Sequence, residues 1–113
     1  MDSALIQHLT RIAELLQKYG LPQAEVVSDI LKDLQATSPA TTRLAGVDMW
    51  GGSGAIWETA LPENAGREDE IALREEIIRI SHEMDRLGIG TTRSRSIREI
   101  YQTWKNNGVY PWR

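Results

Sequence analysis

Apolar residues recur near the start of the chain at helical spacing. Leu5, Leu9, Ile12, Leu16 and Tyr19 follow one another at steps of four, three, four and three, with Ile6 and Ala13 alongside. This rhythm puts one apolar stripe on a helix over residues 3 to 19. Gly20 stands just past the last member of the stripe, where a helix commonly takes its C-terminal cap. Pro22 suits the opening turn of the next helix because its missing N–H is not needed there. The second helix is predicted over residues 22 to 35, with Val27, Ile30, Leu31 and Leu34 inward and Glu25, Asp29, Lys32 and Asp33 toward water. The short break between the two implies an antiparallel hairpin.

The same alternation returns later in the chain. Leu73, Ile77, Ile80, Met84 and Leu87, widened by Ile71 and Ile78, predict a third helix over residues 67 to 87. Glu68, Asp69 and Glu70 lie in its first turn, where the helix dipole favours negative charge. Gly88 and Gly90 end it. A fourth helix is expected from Ser96 to about Lys105, because Ser96 and Glu99 have the spacing of a capping box. Ile97, Ile100, Tyr101 and Trp104 form its inward face, and Gly108 stops it. Residues 109 to 113 read as an extended end whose aromatics dock on the body. The pattern as a whole implies an all-α, single-domain four-helix bundle over residues 1 to 113.

Residues 36 to 66 break the helical rhythm. A turn-rich stretch leads into a short helix predicted from Pro39 to Ala45, with Ser38 as its cap. After it, Trp50-Gly51-Gly52-Ser53-Gly54-Ala55-Ile56-Trp57 sets two of the four tryptophans around three glycines. Glycine permits turns and close approaches that other residues resist. One reading is structural: Trp50, Ile56 and Trp57 plug the gap between the hairpin and the third helix. In the other reading, Trp50, Gly51, Gly52, Ser53, Gly54 and Trp57 form a recognition loop, since tryptophan often dominates protein contacts.

Charge divides the chain. Residues 86 to 113 carry Arg86, Arg93, Arg95, Arg98, Lys105 and Arg113 against Glu99 alone, a balance of +5; the rest carries seven bases and fifteen acids, −8, and together they give the net −3. Either the basic C-terminal segment lies against the acidic body, or it is offered to a partner. In the second case Arg93, Arg95, Arg98 and Lys105, with Tyr101 and Trp104, form a candidate basic patch for nucleic acid or an acidic protein. Glu75, Glu76, Glu83 and Asp85 interleave with Arg74, Arg79 and Arg86 as expected of a solvated helix face.

Other readings of composition are negative. The absence of cysteine excludes a disulfide framework, a thiolate nucleophile and a cysteine metal site. The first residues have neither the basic start nor the apolar core of a signal peptide, and no apolar run reaches the roughly 20 residues of a membrane span. A cytoplasmic location and a folded monomer or small homo-oligomer are therefore expected.

Near-misses to enzyme signatures also carry information. The segment from Gly46 to Ser53 has the glycine and serine spacing of a phosphate-binding loop, but Gly52 takes the place of the lysine. In Gly51-Gly52-Ser53-Gly54-Ala55 the final glycine of a nucleophile elbow is replaced by Ala55. His82-Glu83 opens like a metalloprotease helix, but Arg86 stands where the second ligand belongs. No catalytic residue, metal or cofactor is expected.

A hairpin, then Trp50-Gly51-Gly52-Ser53-Gly54-Ala55-Ile56, then a charged amphipathic helix resembles an uncharacterised bacterial family of small helical domains with a Gly-Gly-X-Gly-Ser loop. The resemblance covers about residues 5 to 87, departs at Ala55 and at Trp57-Glu58-Thr59, and leaves the segment from Gly88 onward as an addition. It implies a fold and no activity. The expected function is non-enzymatic binding of a macromolecule, in one version as an immunity-like or antitoxin-like inhibitor whose acidic body covers a basic protein. Two alternatives stand beside it: a nucleic-acid-associated protein using the basic segment, and a small-ligand protein or enzyme with a pocket walled by Trp50 and Trp57.

Overall fold

Helical segments account for every regular element among the described residues, 3–113, of the computed structural model. Met1 and Asp2, which open the stretch read for a leader, lie outside that description. The four long helices are α1 (Ser3–Lys18), α2 (Gln23–Gln35), α5 (Arg67–Arg86) and α6 (Thr92–Asn106). Between α2 and α5 lie two one-turn helices, α3 (Thr42–Ala45) and α4 (Val47–Trp50), and a 3₁₀ turn at Ile56–Glu58.

Three of the long helices end in the same way. Gly20, Gly88 and Gly108 take φ of 65°, 76° and 65°, a left-handed conformation that a side chain would strain. Each sits in a paired set of reverse hydrogen bonds. At α1, Leu21 N–H reaches the Leu16 carbonyl at 3.0 Å and Gly20 N–H the Gln17 carbonyl at 3.0 Å. At α5, Ile89 bonds to Met84 at 2.9 Å and Gly88 to Asp85 at 3.1 Å; at α6, Val109 bonds to Trp104 at 2.9 Å and Gly108 to Lys105 at 3.2 Å. These bonds satisfy carbonyls that the helix ends leave without intrahelical donors.

The apolar stripes meet in one cluster. Leu5, Leu9, Ile12 and Leu16 of α1 pack with Val27, Ile30 and Leu34 of α2, with Leu73, Ile77, Ile80 and Met84 of α5, and with Ile97 and Tyr101 of α6. Leu44, Met49, Trp50 and Ile56 from the middle of the chain belong to the same cluster. Burying each large aliphatic side chain contributes about 1.5–3 kcal/mol. In space, α2 packs on α1, α1 on α5 and α5 on α6, while α4 touches both the 3₁₀ turn and α6.

Local chemistry corrects several sequence expectations. The short helix predicted from Pro39 begins only at Thr42, and a second turn at Val47–Trp50 occupies part of the stretch read as glycine-rich loop. Helix α6 begins well before Ser96. Thr91 caps it, accepting from Ser94 N–H at 3.0 Å, while the Ser94 hydroxyl accepts from Thr91 N–H at 3.0 Å. This reciprocal pair satisfies two N-terminal donors one turn and more ahead of the Ser96–Glu99 spacing.

The charged face of α5 is only partly solvated. Glu76 is 4% exposed and Glu70 7%, because neighbouring elements cover that flank and supply partners. Glu76 meets His8 Nδ1 at 2.6 Å, Arg11 at 3.3 Å and Arg79 at 3.0 Å, and Glu70 meets Arg74 at 3.7 Å. A carboxylate removed from water requires such partners. The inward face assigned to α6 is narrower than expected: Ile97 and Tyr101 are buried, but Ile100 and Trp104 remain 39% and 40% exposed.

Candidate functional site

The Trp-Gly segment is bound into the core through its backbone. Trp50 is almost wholly buried, and its indole N–H donates to the Leu44 carbonyl at 2.8 Å. Trp57 is half-buried and donates to the Gly51 carbonyl at 2.6 Å. Gly51 is required here for space. A Cβ at this position would lie 2.6 Å from the Val47 carbonyl oxygen and 2.9 Å from Val47 Cβ. Gly54 is required for its φ of 88°, whereas Gly52 and Ser53 face solvent. The six residues of the candidate recognition loop thus divide: Trp50 is a core residue, Gly51 and Trp57 close the turn, and Gly52, Ser53 and Gly54 are exposed.

The basic segment lies against this turn and against α5. Arg93 donates through Nε to the Trp50 carbonyl at 2.7 Å, and its guanidinium stands 5.6 Å from the Trp57 ring centroid. Arg95 and Arg98 both reach Asp85, at 3.1 Å and 2.8 Å. Gly90 lets that carboxylate approach, since a Cβ there would fall 1.8 Å from its oxygen. Lys105 meets Glu75 at 2.7 Å, and Trp112 donates to the same carboxylate at 3.1 Å. Arg67 fastens the end of the chain by donating to the Pro111 carbonyl at 2.8 Å.

These contacts move the carboxylates in one direction. At Asp85 the hydrogen bond from Arg98 leads, opposed by partial burial and helped by Arg95, and the carboxyl lies below its ordinary range. At Glu75 burial pushes upward, but hydrogen bonds from Lys105 and Trp112 outweigh it and hold the carboxyl low. Burial raises the Tyr101 phenol. Its hydroxyl donates to the Trp57 carbonyl, which joins α6 to the 3₁₀ turn.

Three rings gather around Tyr101. Trp104 is centred 5.6 Å from it, and Trp57 and Trp112 are each 6.2 Å away. Trp104 forms a ridge between two grooves. One, of about 300 Å³, is lined by Trp57, Glu58, Arg74, Tyr101 and Trp104; the other, of about 360 Å³, by Ser96, Glu99, Ile100, Thr103 and Trp104. Trp50 lines a separate groove of about 270 Å³ with Val47, Thr91 and Arg93, so the two tryptophans of the turn face different grooves.

The exposed large apolar side chains are unevenly placed. Among the described residues they are Val47, Ile100, Trp104, Val109 and Tyr110, and all but the first fall within residues 100 to 110. The sequence reading missed Ile100, Val109 and Tyr110 as surface, and it missed Glu58, which shares a groove with Trp104.

No group of three or more His, Cys, Asp or Glu placed to hold a metal occurs among the described residues, and no helix among them is long and apolar enough to cross a membrane. Comparison with protein-family models, with curated proteins and with solved structures gives no match to this chain.

Proposed function

We propose that this chain acts by binding another protein, in the manner of an immunity-like or antitoxin-like inhibitor that covers a basic surface. The observation that carries this reading is the contrast between apolar and charged groups around α6. Ile100 and Trp104 line one groove with their apolar side chains exposed, Val109 and Tyr110 are exposed just beyond them in the chain, and exposed apolar surface of this kind marks contact sites. The cations beside it are already engaged within the chain: Arg95 and Arg98 share Asp85, and Lys105 meets Glu75. Glu58 and Glu99, which line the two grooves beside Trp104, make no ion pair among the described residues.

Nucleic acid is the less favoured partner, since phosphates would compete with Asp85 and Glu75 for the same side chains. Four long helices held as one bundle, with this patch on its outer flank, complete the proposal. Its test is affinity capture from the native cell with the wild type and with a Glu58→Lys/Glu99→Lys double variant. One basic protein recovered by the wild type and lost by the variant is the expected result. Recovery of nucleic acid alone, with binding that falls steeply as salt rises, overturns it.

A further inference from the structure

Two aromatic rings in the cluster around Tyr101 already carry a guanidinium from this chain. Arg93 stands 5.6 Å from the Trp57 centroid and Arg74 stands 5.5 Å from the Tyr101 centroid. The next ring along, Trp104, is 40% exposed and carries no cation among the described residues. It shares its groove with Glu58, whose carboxylate is exposed and unpaired among the described residues. An open indole face beside a free carboxylate attracts a planar cation by two routes, the ring quadrupole and direct charge.

We propose that the groove between Trp57, Tyr101 and Trp104 is a subsite for one arginine side chain of a protein partner, with its guanidinium over Trp104 and against Glu58. This rests on the protein-binding reading above and names the group that the surface recognises. Three features select arginine. The groove's volume of about 300 Å³ is at the small end of the range for ligand sites and is enough for one long side chain. Its own cation, Arg74, is held by Glu70 at 3.7 Å and by the Thr59 carbonyl at 2.9 Å, so it does not neutralise Glu58. A guanidinium stacks on a ring and binds a carboxylate edge together, which an ammonium does not. On the far side of Trp104, Ile100 and Glu99 offer an apolar and an acidic contact to neighbouring residues of the same partner segment.

The probe is a short acetylated, amidated peptide with one central arginine, compared with its citrulline counterpart, which keeps the shape and removes the charge. The indole N–H signals of the four tryptophans in an ¹⁵N-labelled sample are the reporters. The arginine peptide is expected to shift the Trp104 and Trp57 signals saturably and leave Trp50 unmoved. Citrulline, Glu58→Gln and Trp104→Ala should each weaken binding about three- to tenfold or more. Glu58→Gln lies on the surface and keeps the test valid should Trp104→Ala disturb folding. Equal binding of the two peptides, or full affinity in Glu58→Gln, overturns the subsite.

The two readings fail separately. A basic partner captured equally by wild type and Trp104→Ala removes the subsite and leaves the protein-binding function. Peptide binding without any captured protein does the reverse.

Discussion

Replacing Trp50 with alanine should destabilise the fold far more than the same change at Trp104. Trp50 is 1% exposed and Trp104 40%, so the pair separates a core role from a surface one within one residue type. Removing a fully buried large aromatic costs about 3–5 kcal/mol, through lost burial and the cavity left behind. The Leu44 carbonyl, which accepts from Trp50 Nε1 at 2.8 Å, also loses its donor. Trp50→Phe isolates this second part, since it keeps most of the volume and should cost about 1–3 kcal/mol.

A domain of 113 residues has a total stability of roughly 6–17 kcal/mol, so Trp50→Ala removes a large fraction of it. Trp104→Ala should stay within about 1 kcal/mol of the wild type. Urea unfolding followed by far-ultraviolet circular dichroism measures all three without relying on the altered fluorophore. With a slope of about 1–3 kcal/mol per molar urea, the Trp50→Ala midpoint should fall by roughly 2 M. A loss below about 1.5 kcal/mol, or one equal to that of Trp104→Ala, would refute the placement of Trp50 in the core.

Further outcomes follow from other contacts. Thr91→Ala should cost about 0.5–2 kcal/mol by removing the cap of α6, while Ser96→Ala should be close to neutral; thermal melts of the two variants decide which serine or threonine starts the helix. Gly51→Ala should cost about 1–3 kcal/mol because its Cβ meets Val47, whereas Gly52→Ala meets nothing within 4 Å and should be tolerated; paired urea titrations compare them. Asp85 and Glu75 have folded-state values below ordinary, so the stability they add is complete above about pH 5 and is lost as pH falls through their lowered values. An acid titration of ellipticity should therefore show a shallower lower limb in an Asp85→Asn/Glu75→Gln double variant. A limb of unchanged depth in that variant would remove the assignment.

Periodicity made the long helices legible, because each needed only one apolar stripe, and three of them a glycine past the end as well. Gly20, Gly88 and Gly108 mark those ends by conformations that few other residues adopt. The start of α6 was misread because Ser96–Glu99 and Thr91–Ser94 offer competing caps, and only the second also allows Ser94 to be buried with its hydroxyl and N–H both engaged. The burial of Glu76 was hidden for a different reason. Its partners His8 and Arg11 lie more than sixty residues away, and spacing along α5 carries no information about what α1 brings to that face. For the same reason the sequence did not show that Trp104 stays outside while Trp50 goes in; indole burial depends on which neighbours arrive, and the four tryptophans look alike until they do.

Arg93 and Tyr101, both on α6, are the side chains that grip the carbonyls of Trp50 and Trp57. The middle of the chain thus owes its settled shape to residues made about forty positions later. During synthesis on the ribosome, α1 and α2 can pair as soon as they emerge, but the tryptophan-bearing turn must wait for these two latches while more than a third of the polypeptide is made. In that interval the turn has only its own indole bonds, from Trp50 to Leu44 and from Trp57 to Gly51, to hold its shape.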